Sequence, residues 1–299
     1  MGVWWAGGRP VSRRPRRASG WLWVAPAFAV YAVFVLGSIG LTIQYSFYDW
    51  DGVGTASWVG LDNYRQVFRD PELFGSIVNA LVLIVFFAAI PVFIGLVAAS
   101  VLRNIRSRTI SGIARTVLFL PQIIPLAGAA IAWGWVYSED GLANQILRSV
   151  GLGDLARPWL GDFNTALPAV GLIGSWVAFG LCTVLFTVGI AKIDSSLYEA
   201  AQLDGASRVQ EFVAITVPGL RQEIIVAVTV LVIAALASFD IIYIATLGGP
   251  GYSTMVPGLE IYRLTFTAQK IGLASALGVV LTLLIALIIA PLQRLRRTD

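Results

Sequence analysis

The feature that most constrains this 299-residue chain is a series of six apolar runs, each long enough to cross a lipid bilayer. A membrane-spanning helix needs about 20 mostly apolar residues. The runs cover residues 21–43, 76–102, 117–137, 166–190, 223–245 and 271–292. The third contains Pro121 and Pro125, which interrupt a helical hydrogen-bond ladder, so we expect a kinked span there. The sequence therefore predicts an all-α integral membrane protein with six transmembrane helices.

Composition supports a membrane location. The mean hydropathy is +0.79 and only 13% of the residues are charged, which is too few to solvate the surface of a soluble protein of this length. We therefore expect a multi-pass membrane protein whose outer surface contacts membrane lipid.

The distribution of positive charge predicts the orientation. The six runs place alternate connecting segments on opposite sides of the membrane. Fifteen of the 21 lysines and arginines lie in the segments on the same side as the N-terminus, whereas ten of the 17 acids lie in the segments on the opposite side. By the positive-inside rule both termini are then cytoplasmic. The net charge of +4 is explained by this orientation, and we expect no nucleic-acid partner. The predicted organisation is a basic cytoplasmic tail (1–20), a transmembrane domain (21–292) with a cytoplasmic loop at 191–222, and a cytoplasmic tail (293–299).

The residues that are missing exclude several kinds of chemistry. The chain has no histidine and a single cysteine, Cys182, so the usual zinc sites and nucleophilic triads lack their commonest members. No Gly-Lys pair occurs, which excludes the phosphate-binding GxxxxGK[ST] loop. We expect no catalytic residue, no metal and no cofactor, and the protein is not predicted to be an enzyme. If ATP is used, another chain must hydrolyse it.

The loop at 191–222 carries the clearest local pattern. Residues 196–199 and 207–210 both fit the S-x-x-E/Q capping box that starts a helix. Between them Gly205 can adopt the positive φ that a helix stop requires, and Pro218 ends the second segment. We expect a short helix, a sharp turn and a second helix. Leu197, Ala200, Ala201 and Asp204 would share one face of the first helix, where small residues allow another protein to pack closely.

The same loop resembles the EAA loop of ABC importer permeases, and EAAQLDGA at 199–206 resembles the carbohydrate-uptake branch in particular. In that family the loop inserts into a cleft of a separate ATPase subunit. The resemblance implies that ATPase coupling is carried by Glu199, Ala200, Ala201, Asp204, Gly205, Ile215 and Pro218.

Three further stretches resemble sugar permeases of the MalF and UgpA type: WVGLDNY at 58–64, FDIIYIATLGGP at 239–250, and residues 272–283. Leu247 departs from the usual glycine triplet in the second of these. The resemblance implies half of the translocation pathway of an ATP-driven, binding-protein-dependent importer for a sugar, a related polyol or glycerol phosphate. The implied location is a bacterial-type cell (inner or plasma) membrane, and the implied partners are a second homologous permease, two copies of an ABC ATPase, an extracytoplasmic solute-binding protein and the small-molecule solute.

Five residues of the fourth and fifth runs are candidates for the solute path: Trp176, Phe179, Ser238, Asp240 and Tyr243. Sugars are held by hydrogen-bonding side chains and flat aromatic faces, which these residues offer. The aromatic rings could equally face lipid or pack inside the protein, and Asp240 could be a helix-end acid that reaches water. An alternative function is an ion-coupled secondary transporter, but that would call for several intramembrane acids or an inverted repeat.

Overall fold

The computed structural model describes residues 18–105 and 107–296. Of the predicted N-terminal tail, residues 1–17 lie outside the described part, and Ala18 begins the first helix. Of the predicted C-terminal tail, residues 297–299 lie outside it, and the last helix continues to Arg296.

In chain order the α-helices are α1 (Ala18–Tyr31), α2 (Gly37–Tyr45), α3 (Asp62–Arg69), α4 (Pro71–Ile84), α5 (Ile90–Arg103), α6 (Arg108–Ile123), α7 (Leu126–Val136), α8 (Leu142–Ser149), α9 (Ala166–Ile190), α10 (Ser195–Leu203), α11 (Arg208–Glu211), α12 (Val217–Gly219), α13 (Arg221–Leu236), α14 (Asp240–Ala245), α15 (Pro257–Phe266) and α16 (Ile271–Arg296). π-Helical turns at Ala32–Leu36, Val85–Ala89 and Phe212–Thr216 join α1 to α2, α4 to α5 and α11 to α12.

Four helical stretches of the described chain are long and apolar enough to cross a membrane by themselves: Trp23–Tyr45, Pro71–Arg103, Ala166–Ile190 and Ile271–Arg294. Two further pairs of helices, each bent at a short break, bring the number of spans to six if each pair is counted as one span. The helical membrane fold predicted from the sequence is confirmed, and α9 has the predicted bounds. The exception to an all-α chain is a small antiparallel pair of strands, β1 (Tyr48–Asp49) and β2 (Ser57–Trp58).

The third span is bent far more than a simple kink. The axes of α6 and α7 meet at 98°, with Pro121 inside α6 and Pro125 just before α7. Ile124 between them is extended, at φ −76° and ψ 126°. A residue that precedes proline is sterically pushed out of the helical region, which explains the break. The predicted kink is confirmed, and it redirects the chain.

The prediction of one continuous fifth span at 223–245 is wrong. Helix α13 ends at Leu236 and α14 begins at Asp240, with the intervening Phe239 at φ −143° and ψ −61°. Helix α15 packs directly against this break, because a Cβ added at Gly258 would lie 2.8 Å from the Ser238 carbonyl oxygen. Only glycine permits so close an approach. The break falls at Ser238 and Asp240, two polar residues that the sequence analysis treated as solute-path candidates and not as a helix stop.

Helix α9 lies at the centre of the fold. Ile173 and Val170 are fully buried towards one end, in the same cluster as Leu83 of α4. Phe186 is fully buried towards the other end, where it packs in a cluster with Leu220. The first span is different, because its apolar segment Trp23–Tyr45 has no buried residue. It runs beside α16 at the edge of the protein.

The segment that resembles VGLDNY holds the end of the first span and the start of the last span together. The buried Asn63 side chain donates hydrogen bonds to the backbone oxygens of Ser46 and Tyr48, at 3.0 and 2.9 Å. The Tyr64 hydroxyl lies 2.6 Å from the Ser46 hydroxyl. A Cβ at Gly272 would collide with the Tyr48 carbonyl, so this turn sits tightly on the start of α16.

Candidate functional site

The loop between the fourth and fifth spans forms two helical segments joined by a turn at Gly205, as predicted. The φ of Gly205 is +76°. The backbone N–H of Ala206 donates to the Ala201 carbonyl at 2.9 Å and that of Gly205 to the Gln202 carbonyl at 3.1 Å. These two bonds are the Schellman pattern that closes a helix on a left-handed residue. The second segment runs without a break over Arg208–Gly219.

The two predicted capping boxes have different outcomes. The box at Ser207 is confirmed, since its hydroxyl accepts from the Gln210 N–H while the Gln210 side chain accepts from the Ser207 N–H. The box at Ser196 is wrong, because Asp194 caps α10 and its carboxylate accepts from the Ser196 N–H at 3.0 Å. That backbone hydrogen bond lowers the pKa of Asp194. The Asp194 carboxylate lies where the first N–H groups of the helix point and is a stronger acceptor than the Ser196 hydroxyl. The helix therefore begins earlier than predicted.

Helix α10 leaves apolar and small side chains uncovered. Leu203 is 90% exposed and Leu197 is 53% exposed. Ala200 and Asp204 are also exposed, while Ala201 is half-buried. The four residues predicted to share a face are therefore accessible at least in part. An exposed leucine is unremarkable singly, but two on a short helix beside exposed alanine mark a candidate protein contact.

The remaining residues of the motif lie close by. Glu199 and Pro218 are exposed, and Ile215 is half-buried within the π-helical turn. Val209 and Val213 of the second segment are 71% and 60% exposed, so they extend the uncovered apolar surface beyond α10.

One side chain fixes α10 to the membrane domain. Tyr198 is only 2% exposed, and its hydroxyl lies 3.1 Å from the Thr216 hydroxyl. The guanidinium carbon of Arg103, the last residue of α5, lies 3.2 Å from the centre of the Tyr198 ring. Arg103 also forms an ion pair of 3.6 Å with Glu211, whose side chain is 4% exposed. We call Arg103, Tyr198, Glu211 and Thr216 the anchor cluster. Sequence reasoning missed it.

A cavity of about 460 Å³ lies between the third, fourth and fifth spans. Its walls come from both sides of the α6–α7 break, from α9, and from the α13–α14 break. The size falls within the range of small-molecule sites. The lining is mainly apolar, and its polar members are Gln122, Ser238 and Asp240.

Two of the five predicted solute-path residues, Ser238 and Asp240, line this cavity. Ser238 is buried whereas Asp240 is exposed, at the first position of α14. The break in the fifth span therefore places this acid at the start of a helix, with its carboxylate accessible from the cavity.

The three predicted aromatic residues lie outside the lining of this cavity. The Trp176 ring packs 5.6 Å from that of Trp133, and the Tyr243 ring stacks on Phe239 at 5.2 Å. Phe179 is half-buried. Gln122 is the polar lining residue that sequence reasoning missed. A polar side chain between two prolines in an apolar run was the available signal.

The loop that follows α14 has an unusual backbone. Leu247 has a φ of 52° and Gly248 a φ of 85°. The Thr254 hydroxyl donates to the Gly249 carbonyl at 2.8 Å and lies 2.7 Å from the Thr246 hydroxyl. Leucine thus occupies a left-handed position that glycine adopts without strain.

Comparisons with known proteins agree with this architecture. Residues 91–297 match the family described as "Binding-protein-dependent transport system inner membrane component". The chain is 36% identical over 275 residues to the probable ABC transporter permease protein YurN of Bacillus subtilis, covering 91% of this chain and 94% of that one. It is 31% identical to the diacetylchitobiose uptake system permease protein NgcF of Streptomyces coelicolor, covering 89% and 80%. It is 30% identical to the lactose transport system permease protein LacF of Rhizobium radiobacter, covering 90% and 91%.

A solved structure shares the fold. It is described as a bacterial ABC transporter involved in the import of the acidic polysaccharide alginate, and it aligns with a TM-score of 0.79 at 23% identity over 94% of this chain and 98% of that one. The chain therefore belongs to the family of binding-protein-dependent transport system inner membrane components, the permease subunits of ABC transporters, and is a multi-pass protein of the inner membrane.

Proposed function

We propose that this chain forms half of the translocation pathway of an ATP-driven importer for a sugar, a related polyol or glycerol phosphate, and that a separate ATPase drives it through the loop at 191–222. The observation that carries the proposal is the combination of an uncovered α10 surface and a buried attachment of that helix to the second span. Relatives named for diacetylchitobiose and lactose support a carbohydrate solute. Family membership argues against an ion-coupled secondary transporter.

The uncovered surface of α10 suits insertion into a cleft of another protein. Leu203, at 90% exposure, and Leu197 would become buried in such a contact, and burying an apolar side chain contributes roughly 1.5–3 kcal/mol. Ala200 would let the backbones approach closely. Both helical segments of the loop are capped, so the surface is held in one shape before the partner arrives, which reduces the entropic cost of binding.

The anchor cluster gives the loop a mechanical connection. Tyr198 lies under the Arg103 guanidinium, so a displacement of α10 is passed to the end of α5. The Arg103–Glu211 ion pair holds the second segment to the same point. A buried carboxylate that loses its cationic partner is costly, so these elements are expected to move together.

In the cycle that we propose, ATP binding closes a pair of ATPase subunits around the α10 helices of two homologous permeases. The motion passes through the anchor cluster to the second span, whose π-helical turn contributes Phe87 to the cavity. The cavity then opens towards an extracytoplasmic solute-binding protein, by a shift between two packed states. Both termini of this chain would face the cytoplasm.

The test is reconstitution of the complex with its binding protein in proteoliposomes. We expect ATP hydrolysis that is stimulated by loaded binding protein, and ATP-dependent uptake of the solute that raises the thermal stability of the binding protein in a sugar and polyol panel. Hydrolysis that is indifferent to deletion of residues 197–203 would contradict coupling through this loop.

A further inference from the structure

The cavity between the α6–α7 and α13–α14 breaks contains polar atoms without a protein partner. In the described part of the chain, the Ser238 hydroxyl oxygen and the Gln122 side-chain oxygen are buried and form no hydrogen bond. Ser238 as a whole is only 7% exposed. Buried polar atoms in native proteins are nearly always bonded, so two in one cavity indicate that a solute or water supplies their partner.

These atoms share a chemical preference. The amide oxygen of Gln122 only accepts hydrogen bonds, as does an ionised Asp240 carboxylate, while the Ser238 hydroxyl can accept or donate. Hydrogen-bond donors on a solute would therefore satisfy the two unpartnered oxygens of Gln122 and Ser238. Sugar hydroxyl and N-acetyl amide groups provide them, whereas phosphate, sulfonate or carboxylate groups add further acceptors.

Charge leads to the same conclusion. Among the described residues that line the cavity, Asp240 is the sole ionisable side chain, and no lysine or arginine is present. An anionic solute would approach this carboxylate without a facing cation from this chain. Repulsion between like charges is strengthened when the surroundings have a low dielectric constant. The remaining walls are apolar and include Leu231 and Val177.

We propose that Gln122, Ser238 and Asp240 form a site that accepts hydrogen bonds from solute hydroxyl groups and selects neutral glycosides and polyols over anionic ones. The inference rests on the proposed importer function and narrows it, because it removes glycerol phosphate and uronic acids from the candidate solutes. The alginate importer with the same fold shows that the fold does not decide the charge of the cargo.

The first experiment measures the electrostatics of the site without knowledge of the solute. Ala237, which lines the cavity beside Asp240, is replaced by cysteine in a Cys182→Ala background of the reconstituted complex. The rates of reaction with the cationic reagent MTSET and the anionic reagent MTSES are compared. The reference is Val53→Cys, an outer-loop position that is 90% exposed. We expect the cationic preference at Ala237→Cys to exceed the reference by about tenfold, and Asp240→Asn to remove most of that excess. An equal or anionic preference would overturn the proposal.

The second experiment uses matched solutes in binding and uptake assays: cellobiose against cellobiouronic acid, and glycerol against glycerol 3-phosphate. We expect the neutral member of a pair to be transported. Ser238→Ala or Gln122→Leu should raise the half-saturation concentration of that solute by about tenfold. The thermal stability of these two variants should hold or rise, since each removes an unpartnered group. Ser175→Ala is the matched control, because the Ser175 hydroxyl is bonded to the Phe86 and Gly171 carbonyls. That variant should lose stability and keep the solute preference.

The two proposals fail in different ways. Absence of ATP-dependent uptake of every solute, with a cationic reagent preference intact, would refute the importer function alone. Uptake of the anionic member of a pair would refute the neutral-solute site while supporting the importer.

Discussion

The turn at Gly205 offers the sharpest test of the coupling loop, because the backbone strain of a substitution there can be separated from steric crowding of the new side chain. A Cβ built at Gly205 meets no atom within 4 Å, so a larger side chain has room. The backbone φ of +76° is what resists it. A left-handed conformation costs an L-residue about 1–2 kcal/mol, and a β-branched residue sits at the upper end of a range of roughly 1–3 kcal/mol.

We predict that Gly205→Val breaks coupling while leaving the protein in the membrane. Each 1.36 kcal/mol is a factor of about ten in a population, so the native turn becomes roughly tenfold to a hundredfold less favoured relative to alternatives. The chain can relieve the strain by giving up the two hydrogen bonds that close α10 and redirecting that helix. The membrane spans do not depend on this turn, so abundance should be near normal.

The assay is ATP hydrolysis by the reconstituted complex, with and without loaded binding protein, beside a quantitative membrane blot. Gly112→Val is the matched control, since Gly112 lies within α6 at an ordinary helical φ and a Cβ there also meets nothing within 4 Å. It should retain stimulated hydrolysis. Gly205→Asn should restore part of the loss, because asparagine tolerates the left-handed region. Near-normal stimulation in Gly205→Val would refute the reasoning that this turn aims the coupling helix.

Further predictions address the anchor cluster, the outer loop and the topology. Tyr198→Phe loses one hydroxyl contact and should lower the free energy of unfolding by about 1 kcal/mol. Tyr198→Ala should lower it by about 3–5 kcal/mol and uncouple ATP hydrolysis from uptake. Equal effects of the two variants in thermal unfolding and uptake would argue against a packing role for the ring. Leu247→Gly should raise the unfolding free energy by roughly 1 kcal/mol, measured by thermal unfolding in detergent, because Leu247 is 67% exposed and holds a positive φ; a destabilised variant would contradict this. Cysteines at Val53 and Leu203, both 90% exposed, should react from opposite faces in a Cys182→Ala background, and labelling from the same face would overturn the proposed orientation.

Much of the architecture was predictable from the sequence because a bilayer imposes one-dimensional rules. An apolar run of fixed length must satisfy its backbone internally, so hydropathy located the membrane-spanning runs, and α9 came out with the predicted bounds. Local chemistry was equally decisive where it acts over a few residues. The turn at Gly205, the capping box at Ser207 and the break at Pro125 each follow from backbone sterics and nearby hydrogen bonds.

Only the tertiary structure decided what depends on residues far apart in the chain. At the break in the fifth span the Gly258 backbone of α15 lies close to the Ser238 carbonyl, a contact between distant segments that the run itself does not record. Packing of the third span against the fourth and fifth brings Gln122 and the break to one cavity. Arg103 and Tyr198 lie far apart in the chain, but folding stacks one on the other. Hydropathy and spacing describe each segment alone, whereas a binding cavity and an anchor are made by the surfaces that segments share.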